Sequence, residues 1–319
     1  MKTVVIAGGA GFIGSHLVDR VLEAGDKVVV IDDLSTGSRD NTSNAEKTYP
    51  DRFSFNKLDI CSVECAELIK SVKPDVLHIL AAQWSVKVSM RDPAEDARVN
   101  IGGLVNLLEA AREAGVSKVT FATSGGTIYG DHGESKLPLK EDTYPRLPAS
   151  FYGLTKSTAV DYLRIYNEAF GLKSVALGLG NVYGPRQSPD GEAGVIAIFS
   201  KRMLHGEPCI INGDGETTRD YVHVSDVAEA FFLAGERGSG LINVGTAQET
   251  SVNEVHDLLA THIEQSVQPI HGEPLIGEVR RVSLSIDHAA DQLKWTPKIT
   301  NLSEGMKTVV DWVSSKVSI

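Results

Sequence analysis

The sequence predicts an α/β protein: a doubly wound parallel sheet joined to a smaller α+β C-terminal lobe. Short β-branched runs alternate with longer helical patterns through the first half of the 319 residues. Those runs are apolar throughout, as strands covered by helices on both faces must be. A glycine-rich turn joins the first run to the first helical pattern.

Residues 3–7 read as the first strand, 12–23 as the first helix and 27–32 as the second strand. Strands follow at 52–56 and 75–80, a long amphipathic helix at 93–114 and a fifth strand at 118–122. A helix at 152–170 precedes a strand at 173–177. After Asn181 the rhythm changes to short elements separated by turns such as Gly184-Pro185 and Gly213-Asp214-Gly215. An apolar strand at 241–244 is placed to return to the main sheet. Residues 1–180 with about 218–248 are therefore expected to form one domain, and 181–217 with about 249–319 a substrate-binding lobe interwoven with it.

Composition narrows the function. The net charge is -11 and no Lys/Arg run offsets it, which argues against nucleic acid and anionic membrane as partners. No apolar stretch is long enough to cross a membrane, and the apolar N-terminal run breaks at Gly8-Gly9, too early for a signal peptide. Cys61, Cys65 and Cys209 have no framework or zinc-ligand spacing. They read as packing in a reduced, cytoplasmic protein with no metal.

Gly8, Gly11 and Gly14 form G-x-x-G-x-x-G between the first strand and the first helix. Such a turn lets backbone approach a pyrophosphate and aims free helix N–H groups at it, the fingerprint of a Rossmann-type dinucleotide site. Asp32 ends the second strand eighteen residues after Gly14. A carboxylate there accepts hydrogen bonds from ribose hydroxyls and repels a 2′-phosphate, so NAD is favoured over NADP. Tyr152 and Lys156 are spaced i, i+4 and share a helix face. An ammonium beside the phenol is expected to lower its pKa from about 10 toward neutrality and create an acid/base at the nicotinamide.

With these motifs in hand, the chain resembles the extended short-chain dehydrogenase/reductases, an NAD-dependent epimerase/dehydratase family, and within them the UDP-glucose (UDP-galactose) 4-epimerase type. The resemblance rests on GGAGFIG, VIDDLSTG, LDI at 58–60, HILAAQWSV at 78–86, TSGGTIYG, YGLTK, GNVYGPRQ, GDGETTRDYVHVSDVA and GEVRRVSL. It implies cofactor contacts at Gly8, Gly11, Phe12, Ile13 and Gly14, at Asp32 with Asp33, Leu34, Ser35, Thr36 and Gly37, and at Asp59 and Ile60. It extends them to Leu80, Ala81, Ala82, Gln83, Asn100, Tyr152 and Lys156. On the nucleotide-sugar side it implies Ser124, Tyr152, Asn181, Val195, Arg219, Glu278 and Arg281, with Arg186 either reading a sugar substituent or forming a structural salt bridge. A homodimer through helices 93–114 and 152–170 is also implied.

The chain departs from the family pattern in places. Leu275 stands where many members carry an Arg for the diphosphate, which leaves Arg280 or Arg281 to compensate. Leu177-Gly178-Leu179-Gly180-Asn181 lacks the family's Arg and Tyr. The hydroxyl that assists the tyrosine falls on Gly125, so Ser124 or Thr127 must serve: Thr127 if the segment stays extended, Ser124 if the glycines turn it. Gly126 and Thr127 occupy the slots of the acids used by a 4,6-dehydratase or decarboxylase. The resemblance thus implies a nucleotide-sugar 4-epimerase with Tyr152 as acid/base and tightly held NAD. A 4-ketosugar reductase and a sugar-acid 4-epimerase are the alternatives, and a non-catalytic binder is disfavoured by the intact pair. Small Val282 and Ser283 near the expected sugar pocket suggest room for an N-acetyl group.

Overall fold

A computed structural model describes residues 1–133, 136–190, 194–263, 267–274 and 279–316. The first six strands are Thr3–Ala7 (β1), Lys27–Ile31 (β2), Phe53–Asn56 (β3), Val76–Ile79 (β4), Lys118–Ser124 (β5) and Ser174–Leu179 (β6). Short strands follow at Asn181–Tyr183 (β7), Ile210–Asn212 (β8), Thr218–Arg219 (β9) and Tyr221–His223 (β10). Gly240–Val244 (β11), Thr250–Ser251 (β12) and Ile270–Gly272 (β13) complete the set. The main sheet has the order β11-β6-β5-β4-β1-β2-β3, and every neighbouring pair is parallel. The strand near residue 241 does return to this sheet, beside β6. Chain direction across the sheet reverses between β1 and β4, which opens a crevice at their C-terminal ends.

The helices of the first half are Phe12–Glu23 (α1), Ser43–Thr48 (α2), Val63–Val72 (α3), Val86–Arg91 (α4), Pro93–Ala97 (α5), Leu104–Ala114 (α6) and Gly125–Ile128 (α7). Phe151–Phe170 (α8), Val195–Leu204 (α9), Val224–Ala234 (α10), Val252–Ala260 (α11) and Leu302–Lys316 (α12) follow. Helices α3, α6 and α8 bury Ile69, Leu107 and Leu163 against one sheet face. Helices α1 and α10 bury Leu17, Val21 and Phe231 against the other. A separate core of Ile196, Met203, Val255 and Val309 binds α9, α11 and α12 together as the smaller lobe. Among the described residues no helix is long and apolar enough to cross a membrane.

The long helix expected at 93–114 is broken. Pro93 opens α5, with Asp92 accepting a 3.0 Å bond from the Glu95 N–H. The chain then widens into a π-helical turn over Arg98–Gly103 before α6 begins. Two causes act here. Asn100 must turn its amide onto the backbone of Gln83, and Gly103 packs where a Cβ would lie 2.6 Å from Ile60 Cδ1. Such inserted turns favour functional regions.

Asp220 joins the small lobe to the sheet. It is 1 % exposed, and its carboxylate accepts from the Thr246 N–H and hydroxyl (both 2.7 Å), from Ala247 N (3.1 Å) and from Leu284 N (3.1 Å). Its own carbonyl accepts from Asn181 N at 2.6 Å.

The first turn is among the tightest places in the fold: a Cβ on Gly14 would sit 2.0 Å from the Gly8 carbonyl oxygen. Backbone cannot yield as a flexible side chain can. Gly14→Ala is expected to cost about 2 kcal/mol in chemical denaturation; an unchanged midpoint would show that α1 is free to lift off β1.

Candidate active site

The glycine turn is shaped by exclusion. Gly8 adopts φ +86°, and a Cβ there would lie 2.5 Å from the Ala81 nitrogen. Helix α1 begins directly after Gly11 with no side-chain cap, so its first N–H groups are left for a ligand. Asp32 is buried and accepts from Ala10 N and Leu34 N, each at 2.9 Å. Burial raises its pKa against the pull of these N–H groups. The loop from Asp33 to Gly37 closes over the turn, with the Ser38 N–H on the Ala10 carbonyl. Leu34 takes φ +64°. Asp33 is exposed and bonds only the Ser35 N–H among the described partners, which makes it a turn-former. Ser35 and Thr36 are exposed along the loop, and Phe12 and Ile13 are half-buried at the start of α1.

The neighbouring wall comes from the end of β4. Leu80 N and Ala81 N both bond the Ala7 carbonyl, and Ala82 and Gln83 continue the chain outward. Asn100 grips Gln83 at both backbone groups, accepting from its N–H and donating to its carbonyl, each at 2.9 Å. Ile60 is buried in the core. Asp59 faces outward and pairs with Arg98 at 3.1 Å. Partial burial opposes its charge, but the Cys61 N–H and Arg98 outweigh that and lower its pKa.

Helix α8 presents the Tyr152–Lys156 pair. Ser150 caps it by accepting from Gly153 N at 3.1 Å, and Thr123 Oγ1 donates to the Lys156 carbonyl at 2.9 Å, tying β5 to the helix. Lys156 is 3 % exposed, and its Nζ donates to the Ala122 carbonyl at 3.0 Å. Ser124 stands close enough to the Tyr152 hydroxyl to favour its ionisation. The expected lowering of the phenol pKa is not met. Desolvation pushes Tyr152 up to about 12, despite Ser124, and drives Lys156 down to about 8. The ammonium is directed at the Ala122 carbonyl and the Phe121 face and stands 5.8 Å from the centre of the Tyr152 ring.

The structure separates the two candidate hydroxyls. Strand β5 ends at Ser124 and the one-turn helix α7 starts at Gly125, so the segment does not stay extended and the facing argument for Thr127 lapses. The Thr127 hydroxyl is enclosed and finds no hydrogen-bond partner among the described residues. A Cβ on Gly125 would lie 2.5 Å from Leu284 Cδ1 and 3.0 Å from the Gly178 carbonyl oxygen, so this position points into the core. A Cβ on Gly126 would meet only Asn181 Oδ1, at an ordinary contact distance of 3.6 Å, so this side has room for one.

The small lobe brings Asn181, Arg219 and Arg281 to the same side. Asn181 pairs with Tyr221 in the β7–β10 ladder. Arg219 ends β9 and donates to the Thr218 carbonyl. Arg281 bridges to Thr218 and forms a two-pronged ion pair with Glu249 at 2.8 and 3.0 Å. Arg280 instead pairs with Asp214 on the surface, so of the two, Arg281 is the one held beside Arg219. Val195 opens α9. Leu275 and Glu278 lie outside the described residues. Arg186 takes its structural role: it pairs with Asp19 on α1 at 2.7 Å. Val282 and Ser283 are 3 % and 2 % exposed, packed inward, so their size does not widen a sugar pocket.

The residues fit a dinucleotide. The glycine cradle would be filled by any Cβ, the helix start is uncapped, and the buried carboxylate of Asp32 stands at the end of β2. Among the described residues no cluster of His, Cys, Asp or Glu could hold a metal. Reading the sequence overlooked Asp96, Thr155, Glu249 and Leu284. The D-x-x-x-N spacing of Asp96 and Asn100 was the available signal for the first; the others act through partners distant in the chain.

Gly125→Ser is expected to destabilise the fold by about 1–3 kcal/mol rather than supply a hydroxyl, and Leu284→Ala should recover part of that loss. Denaturant midpoints of the single and double variants test this; additive losses would refute the shared volume.

Comparison with known proteins agrees with this geometry. Residues 4–245 match the model of the NAD dependent epimerase/dehydratase family. A UDP-glucose 4-epimerase of Mycolicibacterium smegmatis is 44 % identical over 318 residues, 99 % of each chain. The crystal structure of UDP-glucose 4-epimerase with UDP-glucose from Thermotoga maritima superimposes with a TM-score of 0.93 at 40 % identity, covering 99 % of this chain and 100 % of that one. The Thermus thermophilus UDP-glucose 4-epimerase in complex with NAD gives 0.90, also at 40 % identity and the same coverage. With the family model matched over residues 4–245 and these relatives similar along nearly the whole length, the chain belongs to the NAD-dependent epimerase/dehydratase family.

Proposed function

We propose that this protein is an NAD-dependent UDP-glucose 4-epimerase that inverts C4 of a UDP-sugar of the glucose/galactose type. The observation that carries this is the Tyr152 hydroxyl with Ser124 as its polar neighbour at the end of β5, and no acid beside it at Gly126 or Thr127. Bound NAD supplies the reversible hydride acceptor that inversion at C4 requires. Gly8, Gly11, Phe12, Ile13 and Gly14 hold its pyrophosphate, and Asp32 with the 33–37 loop holds the adenosine ribose. Asp59 and Ile60 border the adenine. Leu80 to Gln83 and Asn100 form the wall beside the cofactor.

Tyr152 takes the proton from the sugar 4-hydroxyl and returns it after the sugar has presented its other face. Ser124 hydrogen-bonds the same oxygen, and Lys156 contributes a positive charge that favours the phenolate. Asn181, Arg219 and Arg281 grip the diphosphate, while the space beside Gly126 lets the sugar turn. The lobe of α9, α11 and α12 forms the nucleotide-sugar side. Free thiols at Cys61, Cys65 and Cys209 support a cytoplasmic setting.

An apolar stripe on α8 supports a homodimer. Phe151, Leu154 and Ile165 are 42 %, 49 % and 49 % exposed. Val86 and Met90 on α4 add to it, whereas no large hydrophobic on α6 is strongly exposed.

NMR of purified protein with UDP-glucose and no added NAD should show the 4-epimer; a requirement for added NAD(P)H would favour a 4-ketosugar reductase. Tyr152→Phe should lower kcat about a thousandfold and Ser124→Ala about a hundredfold, with Thr127→Ala within a few-fold. The reverse order for the two hydroxyls would reassign the role. In sedimentation the protein should run as a dimer and Ile165→Asp as a monomer; an unshifted boundary would remove α8 from the interface.

A further inference from the structure

Asp96 on α5 belongs to none of the groups above, yet its carboxylate is completely buried. Both oxygens are occupied. Oδ1 accepts from Gln83 Nε2 at 2.8 Å and from Asn100 Nδ2 at 3.1 Å, and Oδ2 accepts from Thr155 Oγ1 at 2.8 Å. These donors come from three parts of the fold: the loop leaving β4, the π-helical turn and α8. Gln83 further bonds the Ser85 carbonyl and accepts from its N–H, so the loop is held along its length. Thr155 stands between Tyr152 and Lys156 on the helix.

All three donors are neutral. Burying a carboxylate on neutral donors alone is expensive. The cation in its own stretch of chain, Arg98, is turned away toward Glu95 and Asp59. Asp96 acts by charge on Tyr152 and Lys156 of α8; the β4 loop meets it with neutral Gln83 and the π-helical turn with neutral Asn100, while α4, also packed on α5, carries Lys87 and Arg91. Among the described residues Asp96 is the acid whose charge reaches Lys156, and it also opposes ionisation of Tyr152. Burial lowers the pKa of Lys156, and a fixed anion nearby resists that.

We propose that Asp96 is a positioning residue for the C4 inversion: it locks the cofactor-side loop to the Tyr152–Lys156 helix and its charge keeps Lys156 in the ammonium form. This rests on the epimerase reading for its catalytic meaning, but the charge relation does not. The same anion sets both members of the pair in one direction. Removing it lets each lose its proton at lower pH, so the whole pH profile moves toward acid.

Asp96→Asn is the informative variant, since its Oδ1 keeps Gln83 and Asn100 while its amide donates to the Thr155 hydroxyl. Asp96→Ser, smaller and also neutral, carries the same expectation if the amide does not fold. Lys156 would be followed by NMR of ε-¹³C-lysine in the holoenzyme, its signal assigned by loss in Lys156→Met. The expected result is a midpoint about one pH unit lower in the neutral variant, with the alkaline limb of the kcat profile lowered to match. A Lys156 midpoint unmoved in a folded neutral variant overturns the proposal, whatever happens to thermal stability or kcat. If the epimerase reading itself fails, the wild type forms no 4-epimer while the lysine titration still answers the charge question.

Discussion

Everything in the cofactor crevice depends on three stretches of backbone meeting without side chains between them. Gly8 lies against the Ala81 nitrogen and Gly14 against the Gly8 carbonyl. That contact sets α1 hard on the end of β1 and aims its uncapped N–H groups over the crevice. It also fixes the β4 end, because Leu80 and Ala81 share the Ala7 carbonyl. The Asp32 carboxylate then closes the turn through the Ala10 N–H. An excluded volume of a few ångströms thus orders β1, α1, β2 and β4 around one point.

The chemistry at the other end of the crevice is governed by desolvation. Lys156 and Tyr152 share a helix face, but burial raises one and lowers the other, so a neutral pair is the state toward which the apolar surroundings push. Ser124 opposes that push at the tyrosine; the fixed charge from α5 opposes it at the lysine and reinforces it at the tyrosine. The pair is therefore a product of three elements, β5, α5 and α8, and not of the helix that carries its motif.

Local motifs were legible in the sequence because their physics is local. The glycine turn, Asp32, Tyr152 and Lys156 each announce themselves within a few residues, and the strand alternation that predicts the parallel sheet is equally short-ranged. What was not legible depends on partners far along the chain. The side of Gly125 is decided by Leu284, the role of Arg186 by Asp19, and the burial of Val282 and Ser283 by the strand bridge to Leu139. The broken helix after Pro93 was missed because its cause, the grip of Asn100 on Gln83, lies in another element. The phenol pKa was misjudged because spacing reveals that two groups share a face and says nothing of the solvent removed from both.

Gly125 and Leu284 occupy one shared volume, so neither position can drift by itself. A relative that regains a hydroxyl at the first must shed bulk at the second, 159 residues later in the chain. The shared volume predicts correlated exchange: a small residue with a large one, or a hydroxyl with a trimmed neighbour. Two solutions to holding the sugar oxygen, one on Ser124 and one a residue further on, would then be separated by an intermediate that packs badly.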